Sequence, residues 1–191
     1  MEPLEIGRLL QDRFPDQVLE IYTHRGQAGV LVRRERIVDL CRFLRDTESL
    51  RMNHLLALCG VDNSRRKGAN LLRFEVVYNL YSIPLQHQLR LRAQVPEDDP
   101  VIDSVTQLWP GANWLERETW DLLGIGFAGH PDLRRVLLPE SWQGHPLRKD
   151  YPLRGTEPWQ EYEDLKAHCQ QLRQFDFYSQ NAPAGTDENN G

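Results

Sequence analysis

"HQLRLRAQV", residues 87–95, decides how this chain folds. Leu89, Leu91, Ala93 and Val95 share one face, and Gln88, Arg90, Arg92 and Gln94 share the other. Alternation with period two is a strand half-buried against a core. A strand with one wetted face belongs to an antiparallel or mixed sheet rather than to a parallel sheet covered on both sides. Just upstream, "LLRFEVVYNLY" (71–81) alternates in the same way, with Leu72, Phe74, Val76, Tyr78 and Leu80 together. "YSIPLQH" (81–87) is the turn between the two. "HLLALCGVD" (54–62) is almost entirely apolar, so the pattern predicts a central strand covered on both faces. The polar, basic loop "DNSRRKGAN" (62–70) joins it to the next strand.

Moving toward the N-terminus, "RERIVDLCRFLRD" (34–46) places Ile37, Leu40, Cys41 and Leu44 on one side of a helix. "QVLEIYTH" (17–24) and "AGVLVRR" (28–34) flank "RGQ" and read as a hairpin. "PLEIGRLLQDRF" (3–14) carries Leu4, Ile6, Leu9, Leu10 and Phe14 at near-helical spacing. The expected order is α-β-β-α-β-β-β: an α+β fold with a mixed or antiparallel sheet of about five strands and helices packed on one face. Composition agrees with a globular domain, at 40% hydrophobic and 27% charged residues in 191. The formal charge of −5 does not favour nucleic acid as a partner. The longest apolar run, "LLALCGV" (55–61), is too short to cross a bilayer. The N-terminus has no basic region followed by an apolar stretch, so no signal peptide is expected. Cys41, Cys59 and Cys169 are far apart and form no C-x-x-C, which fits reduced thiols rather than a cluster site.

Beyond residue 100 the character changes. "NWLERETWDLLG" (113–124) reads as a helix with Asn113 as N-cap, Glu116 completing a capping box, and Gly124 at the C-terminal cap. Arg117 and Asp121 are spaced as an i,i+4 pair. Prolines at 131, 139, 146, 152 and 158 then punctuate an extended segment that must lie on some surface. Tyr162, Leu165, Cys169 and Leu172 stripe a last helix, and "NAPAGTDENNG" (181–191) has the composition of a disordered tail. The chain therefore divides into a compact domain (1–124), an extended docking segment (125–158), an amphipathic helix (159–178) and a tail (179–191).

Several chemistries can be weighed on this segment. "GIGFAG" (124–129) spells G-x-G-x-x-G. A dinucleotide turn needs a strand before it and a helix after it, whereas here a helix precedes and His130-Pro131 follows. The spelling therefore reads as a helix cap and a turn. Glu116, Glu118 and Asp121 read as an exposed or interface face of a helix rather than as acid–base partners. His130 and His145, with Asp132 and Asp150 near them, lack the close ligand spacing of a zinc site, so each ring is expected to pack or hydrogen-bond in a turn. The cluster Arg134, Arg135, Arg148, Lys149 and Arg154, interleaved with Trp142, Tyr151 and Trp159, has the composition of a protein interface.

The stretch "WLERETWDLLGIGFAGHPDLRRVLLPESWQGHPLRKDYPL" (114–153) resembles the signature region of the C-type, hydrophilic peripheral-arm subunit of the bacterial respiratory NADH:quinone oxidoreductase, complex I. Glu116-Arg117-Glu118, Trp120-Asp121, Gly124-Ile125, Phe127, Gly129 through Arg135 and His145 through Pro152 fit its pattern; Leu123 stands where an aromatic is common. The resemblance implies a non-catalytic part of the peripheral arm, on the cytoplasmic face of the membrane and touching the membrane only through the complex. It implies no cofactor on this chain, with FMN, iron–sulfur clusters, NADH and quinone held by other subunits. It also implies docking onto the D-type subunit and the small iron–sulfur subunits. Glu116, Arg117, Glu118, Asp121, His130, Pro131, Asp132, Arg134, Arg135, His145, Arg148, Lys149, Asp150 and Tyr151 would form that interface. Two other readings stand beside it. One is the equivalent subunit of a photosynthetic NDH-type complex, an F420H2- or ferredoxin-dependent enzyme or a membrane-bound hydrogenase. The other is a stand-alone acid–base enzyme using Glu118, Asp121 and His130.

Overall fold

The computed structural model describes residues 3–66, 71–153, 155 and 160–173. The chain divides into two units, Met1–Gly155 and Thr156–Gly191. In the first, helix α1 (Pro3–Arg13) leads into strands β1 (Val18–His24) and β2 (Gln27–Arg33), helix α2 (Ile37–Asp46) and strands β3 (His54–Asp62), β4 (Phe74–Ser82) and β5 (His87–Val95). This is the expected order. Arg25 and Gly26 both adopt positive φ, which gives the β1–β2 hairpin a turn whose twist suits its strands.

The sheet runs β1-β2-β5-β4-β3 and is mixed: β2 and β5 are parallel, and the other neighbours antiparallel. The register shows why the alternating strands matter. Phe74, Val76, Tyr78 and Leu80 stand opposite Val95, Ala93, Leu91 and Leu89, and Val30 and Val32 meet Leu91 and Ala93 from the other side. One continuous apolar layer results, covered by Ile6 and Leu10 of α1 and by Ile37, Leu40, Cys41 and Leu44 of α2. Leu4 and Leu9, which share near-helical spacing with Ile6, stay partly exposed, and Leu72 falls before β4 and is exposed. The opposite face is polar. Glu75, with no exposed surface, is gripped by the Arg92 guanidinium at 2.6–2.9 Å, and that guanidinium lies over the Tyr22 ring.

One placement differs from the pattern. The apolar strand β3 lies at the sheet edge, not its centre, and Leu56 is half exposed. Its apolar character has a different cause. A bulge between Leu55 and Ala57 breaks the alternation, and a further helix, α3 (Ala112–Leu123), packs against β3. A Cβ at Gly60 would sit 2.5 Å from Leu123 and 2.9 Å from Thr119, so glycine is what lets helix and strand approach.

Two short strands were not evident in the sequence. β6 (Val101–Asp103) and β7 (Gly126–Ala128) pair in parallel and bracket α3. Gly126, the middle glycine of "GIGFAG", therefore sits in a strand that follows a helix, the reverse of a dinucleotide turn. From Gly129 to Leu153 there is no helix or strand. In the second unit, α4 (Gln160–Arg173) carries Tyr162, Leu165 and Cys169 exposed. The side chain of Leu172, Trp159 and Arg154, and the tail from 174 onward lie outside the described residues.

Candidate functional site

Helix α3 ends where the extended segment begins, and the two are bound together. Gly124 takes the left-handed conformation (φ 72°) and returns its N–H to the Trp120 carbonyl at 2.8 Å. The next three carbonyls have no intrahelical donor, the usual deficit of a helix end. The segment 145–148 supplies them. His145 Nδ1 donates to Asp121 O at 2.9 Å, the Leu147 N–H to Leu122 O at 3.0 Å, and Arg148 Nε to Leu123 O at 2.7 Å. A short stretch of a distant loop thus stands in for the helix's missing turn. Donating from Nδ1 fixes the His145 tautomer. Burial, together with the Arg148 and Arg135 charges and against the Asp121 carbonyl, holds its pKa below the ordinary value, so the ring is neutral.

Asp121 anchors the other half of the segment. Its side chain is fully buried. Oδ1 accepts from Arg135 Nη1 at 2.6 Å, and Oδ2 accepts three successive backbone N–H groups, from Val136, Leu137 and Leu138, at 2.9–3.0 Å. Burial alone would raise its pKa. The three backbone donors and Arg135 outweigh that and hold it below the usual carboxylate value. Arg135 also donates to the Trp142 carbonyl at 3.0 Å. Arg117 does not pair with Asp121, as the i,i+4 spacing suggested. It donates instead to the carbonyls of Arg134 and Arg135 at 3.0 and 3.1 Å and lies 4.7 Å from the Trp114 ring centroid.

A third anchor comes from the end of β3. Asp62, also fully buried, accepts from the N–H groups of Ser64 at 2.9 Å and Lys149 at 2.8 Å. Arg73 then bridges Asp62 at 3.5 Å, Asp150 at 2.7 Å and Glu97. Arg65 reaches the Lys149 carbonyl at 2.7 Å, and Tyr151 donates to the Gln143 carbonyl at 3.1 Å. Asp62 and Arg73 carry no motif of their own in the sequence. Only their placement beside the segment reveals them.

The capping box expected for α3 is absent. The helix starts at Ala112 after Gly111, with no side-chain cap, and Asn113 lies within its first turn. Glu116 turns inward and accepts from Val105 N–H at 2.8 Å. Nor do Glu116 and Asp121 lie on a solvated face, since both are fully buried; Glu118 is exposed. His130 behaves as a turn residue. Its Nδ1 accepts from Asp132 N–H at 3.0 Å, which leaves Nε2 to donate to the Asn113 carbonyl at 3.2 Å. Pro131, between the two, is exposed. Glu118, Asp121 and His130 therefore do not converge: one faces solvent, one is saturated with donors, and one is tied to the start of the helix.

Within the segment Arg135 and Arg148 turn inward, while Asp132, Arg134, Glu140, Lys149 and Asp150 stay exposed, and apolar groups face outward beside them. Leu137 (60%), Leu147 (52%) and Leu153 are exposed, as is Trp114 on α3. Arg134 is exposed and pairs with Asp132 at 2.9 Å. Among the described residues no three or more His, Cys, Asp or Glu are grouped as a metal would need. Among them, too, no helix is long and apolar enough to cross a membrane.

Comparisons with known proteins agree on one family. The model of the family described as respiratory-chain NADH dehydrogenase, 30 kDa subunit, matches residues 30–157. The chain is 50% identical over 148 residues to the C-type subunit of the NADH-quinone oxidoreductase of Geobacter sulfurreducens, covering 78% of this chain and 88% of that one. It is 52% identical over 155 residues to the corresponding protein of Roseiflexus castenholzii, covering 81% and 86%. Among solved structures it is similar to a trypsin-resistant fragment of Nqo5, with TM-score 0.57 and 34% identity over 66% of this chain and 97% of that one. A chain of a membrane-bound sulfane sulfur reductase, an archaeal respiratory membrane complex, shares the fold at TM-score 0.62 and 18% identity, with 97% of each chain covered.

Proposed function

The chain belongs to the 30 kDa subunit family of respiratory-chain NADH dehydrogenase, as the C-type subunit of a complex I-type NADH:quinone oxidoreductase, and from that premise we propose that it is a non-catalytic structural component that docks onto its neighbours through residues 130–153. In this reading FMN, the iron–sulfur clusters, NADH and quinone are bound by other subunits. The chain sits in the peripheral arm at the cytoplasmic face of the membrane, against the D-type subunit and the small cluster-bearing subunits.

One observation carries the proposal. The segment is fixed by Asp121, Asp62 and the end of α3, while Leu137 and Leu147 are held outward. Anchoring an irregular segment removes most of its conformational entropy before a partner arrives, which favours binding. Exposed leucines beside arginine and tryptophan suit the centre of an interface. The cysteines give no thiolate set to a cluster. Cys41 is buried in the core, where burial first and the Glu116 charge second push its thiol far above the ordinary range.

The test is affinity purification of the tagged chain from membranes, followed by identification of what accompanies it. Wild type is expected to bring the other subunits of an NADH:quinone oxidoreductase. A Leu137→Asp, Leu147→Asp variant that keeps its circular dichroism is expected to lose them. Recovery of cytosolic enzymes alone from wild type would overturn the proposal, and full recovery by the variant would remove the segment from the interface.

A further inference from the structure

The loop Ser104–Gly111 joins β6 to α3 and is closed by a single side chain. Its turn is held by the N–H groups of Leu108 and Trp109, which both donate to Val105 O at 2.9 and 3.0 Å. Val105 N–H is satisfied by Glu116 Oε1, one turn into the helix the loop leads to. Glu116 has no exposed surface, and its second oxygen, Oε2, is buried without a hydrogen-bond partner. The Tyr78 hydroxyl beneath it, on β4, is likewise buried and unpartnered. A buried carboxylate ordinarily sits against a cation or several donors. Glu116 has neither.

The groups that face it come from each element packed around it. Cys41 approaches from α2, Tyr78 from β4, and the Ser104 and Thr106 hydroxyls, bonded to each other at 2.8 Å, from the loop itself; Asp103, exposed at the end of β6, acts on Tyr78. All are neutral or acidic. A guanidinium from α2, Arg45, donates to Leu108 O at 3.2 Å but is paired with Asp46 at 2.6 Å.

We propose that Glu116 is a proton-operated latch: neutral, it seals the Ser104–Trp109 turn onto α3, and ionised, it opens that turn to water. A neutral carboxyl keeps the Val105 bond through its carbonyl oxygen and adds no charge to the core. An ionised one places a charge beside a thiol and a phenol, and its simplest relief is water entering along the turn. Burial holds the carboxyl well above its ordinary value, to about 7, against the opposing pull of Ser104 and the Val105 N–H, so the change falls near neutrality. Because α3 carries the anchors of the docking segment, the latch acts on the element from which that segment hangs.

Amide hydrogen exchange on the purified full chain tests this, at pH 5.5 and 8.5 and with or without roughly 1 M urea, a concentration that speeds global opening but not small local ones. After correction for intrinsic rates, exchange at Val105, Leu108 and Trp109 is expected to rise about 30-fold at the higher pH and to be insensitive to urea. In Glu116→Gln, which keeps the acceptor and cannot ionise, the rise is expected to vanish. The same rise in Glu116→Gln would overturn the latch. So would a urea-sensitive rise at the turn no larger than that of Val76 and Leu91, since the turn would then open only together with the whole fold. Should Glu116→Gln fail to fold, carboxyl NMR titration of wild type decides. A midpoint near 7 that tracks the loop exchange supports the latch, and one near 4.5 overturns it.

Discussion

Asp121 and Arg135 stand 14 residues apart in the chain, and their charges meet at 2.6 Å with the carboxylate fully buried. Three backbone N–H groups complete the carboxylate's shell. A buried charge with all its partners is nearly neutral in energy, but removing one partner strands the rest.

Asp121→Ala leaves Arg135 and three backbone donors facing an empty space. We expect a loss of about 3–5 kcal/mol in urea unfolding, with Asp121→Asn intermediate because one oxygen remains. Limited proteolysis is expected to cut first between residues 134 and 144. A loss below about 1 kcal/mol would show that the segment holds without this anchor.

The acid limb of stability follows from the same groups. Asp121 and Asp62 are held below the ordinary value of 3.8 because backbone N–H bonds and arginines outweigh their burial. Such groups contribute stability that is fully present above 3.8 and lost as pH falls through their folded values. Pepsin digestion between about pH 4 and 2 is therefore expected to release the segment before the sheet unfolds, and in Asp121→Asn to do so at higher pH.

Glu116 has the opposite sign. Its folded pKa, about 7, lies above its ordinary 4.5 because of burial, so its contribution is full below 4.5 and lost as pH rises through 7. That displacement corresponds to about 3 kcal/mol. Denaturant midpoints of wild type are expected to fall between about pH 5 and 8, and those of Glu116→Gln to stay level over that range.

Gly60 and Gly124 test the packing of α3 from its two sides. Gly60→Ala drives a methyl into Leu123 and Thr119, and overpacking of this kind costs about 1–3 kcal/mol. Gly124→Ala puts a side chain at φ 72° and 2.5 Å from Arg148 and His145, so it strains the helix end and displaces its cap together. Thermal unfolding of the two variants gives the comparison, with the larger loss expected at Gly124.

Much of this was legible in the sequence. The period-two pattern of 87–95 and 74–80 is a local signal, and it set the core face of the sheet correctly because cross-strand neighbours share it. The hairpin at Arg25-Gly26 and the cap at Gly124 also followed from local chemistry. The position of β3 did not, because a run of apolar residues does not say whether a strand has one neighbour or two, and β3 keeps Leu56 and Cys59 exposed even with α3 packed against it. The fates of Glu116, Arg117 and Asp121 were hidden for a related reason. Helical spacing says which side chains could meet each other, but the backbone of residues 105 and 134–138 offered better partners, and no spacing rule reaches that far. The family resemblance located the segment, yet Arg135 and Arg148 turn inward onto α3, which only the folded chain displays.

The end of α3 has a mechanical consequence. His145, Leu147 and Arg148 grip three successive carbonyls, and Lys149 and Asp150 are gripped in turn by Asp62 and Arg73. A pull on the chain from beyond Gly155 meets Asp150 and Lys149 first, then Arg148, Leu147 and His145, and passes the strain into the edge of the sheet and the end of the helix. The first unit thus ends in a fixture rather than a tether. Tension that reaches Gly155 is taken up by the folded first unit.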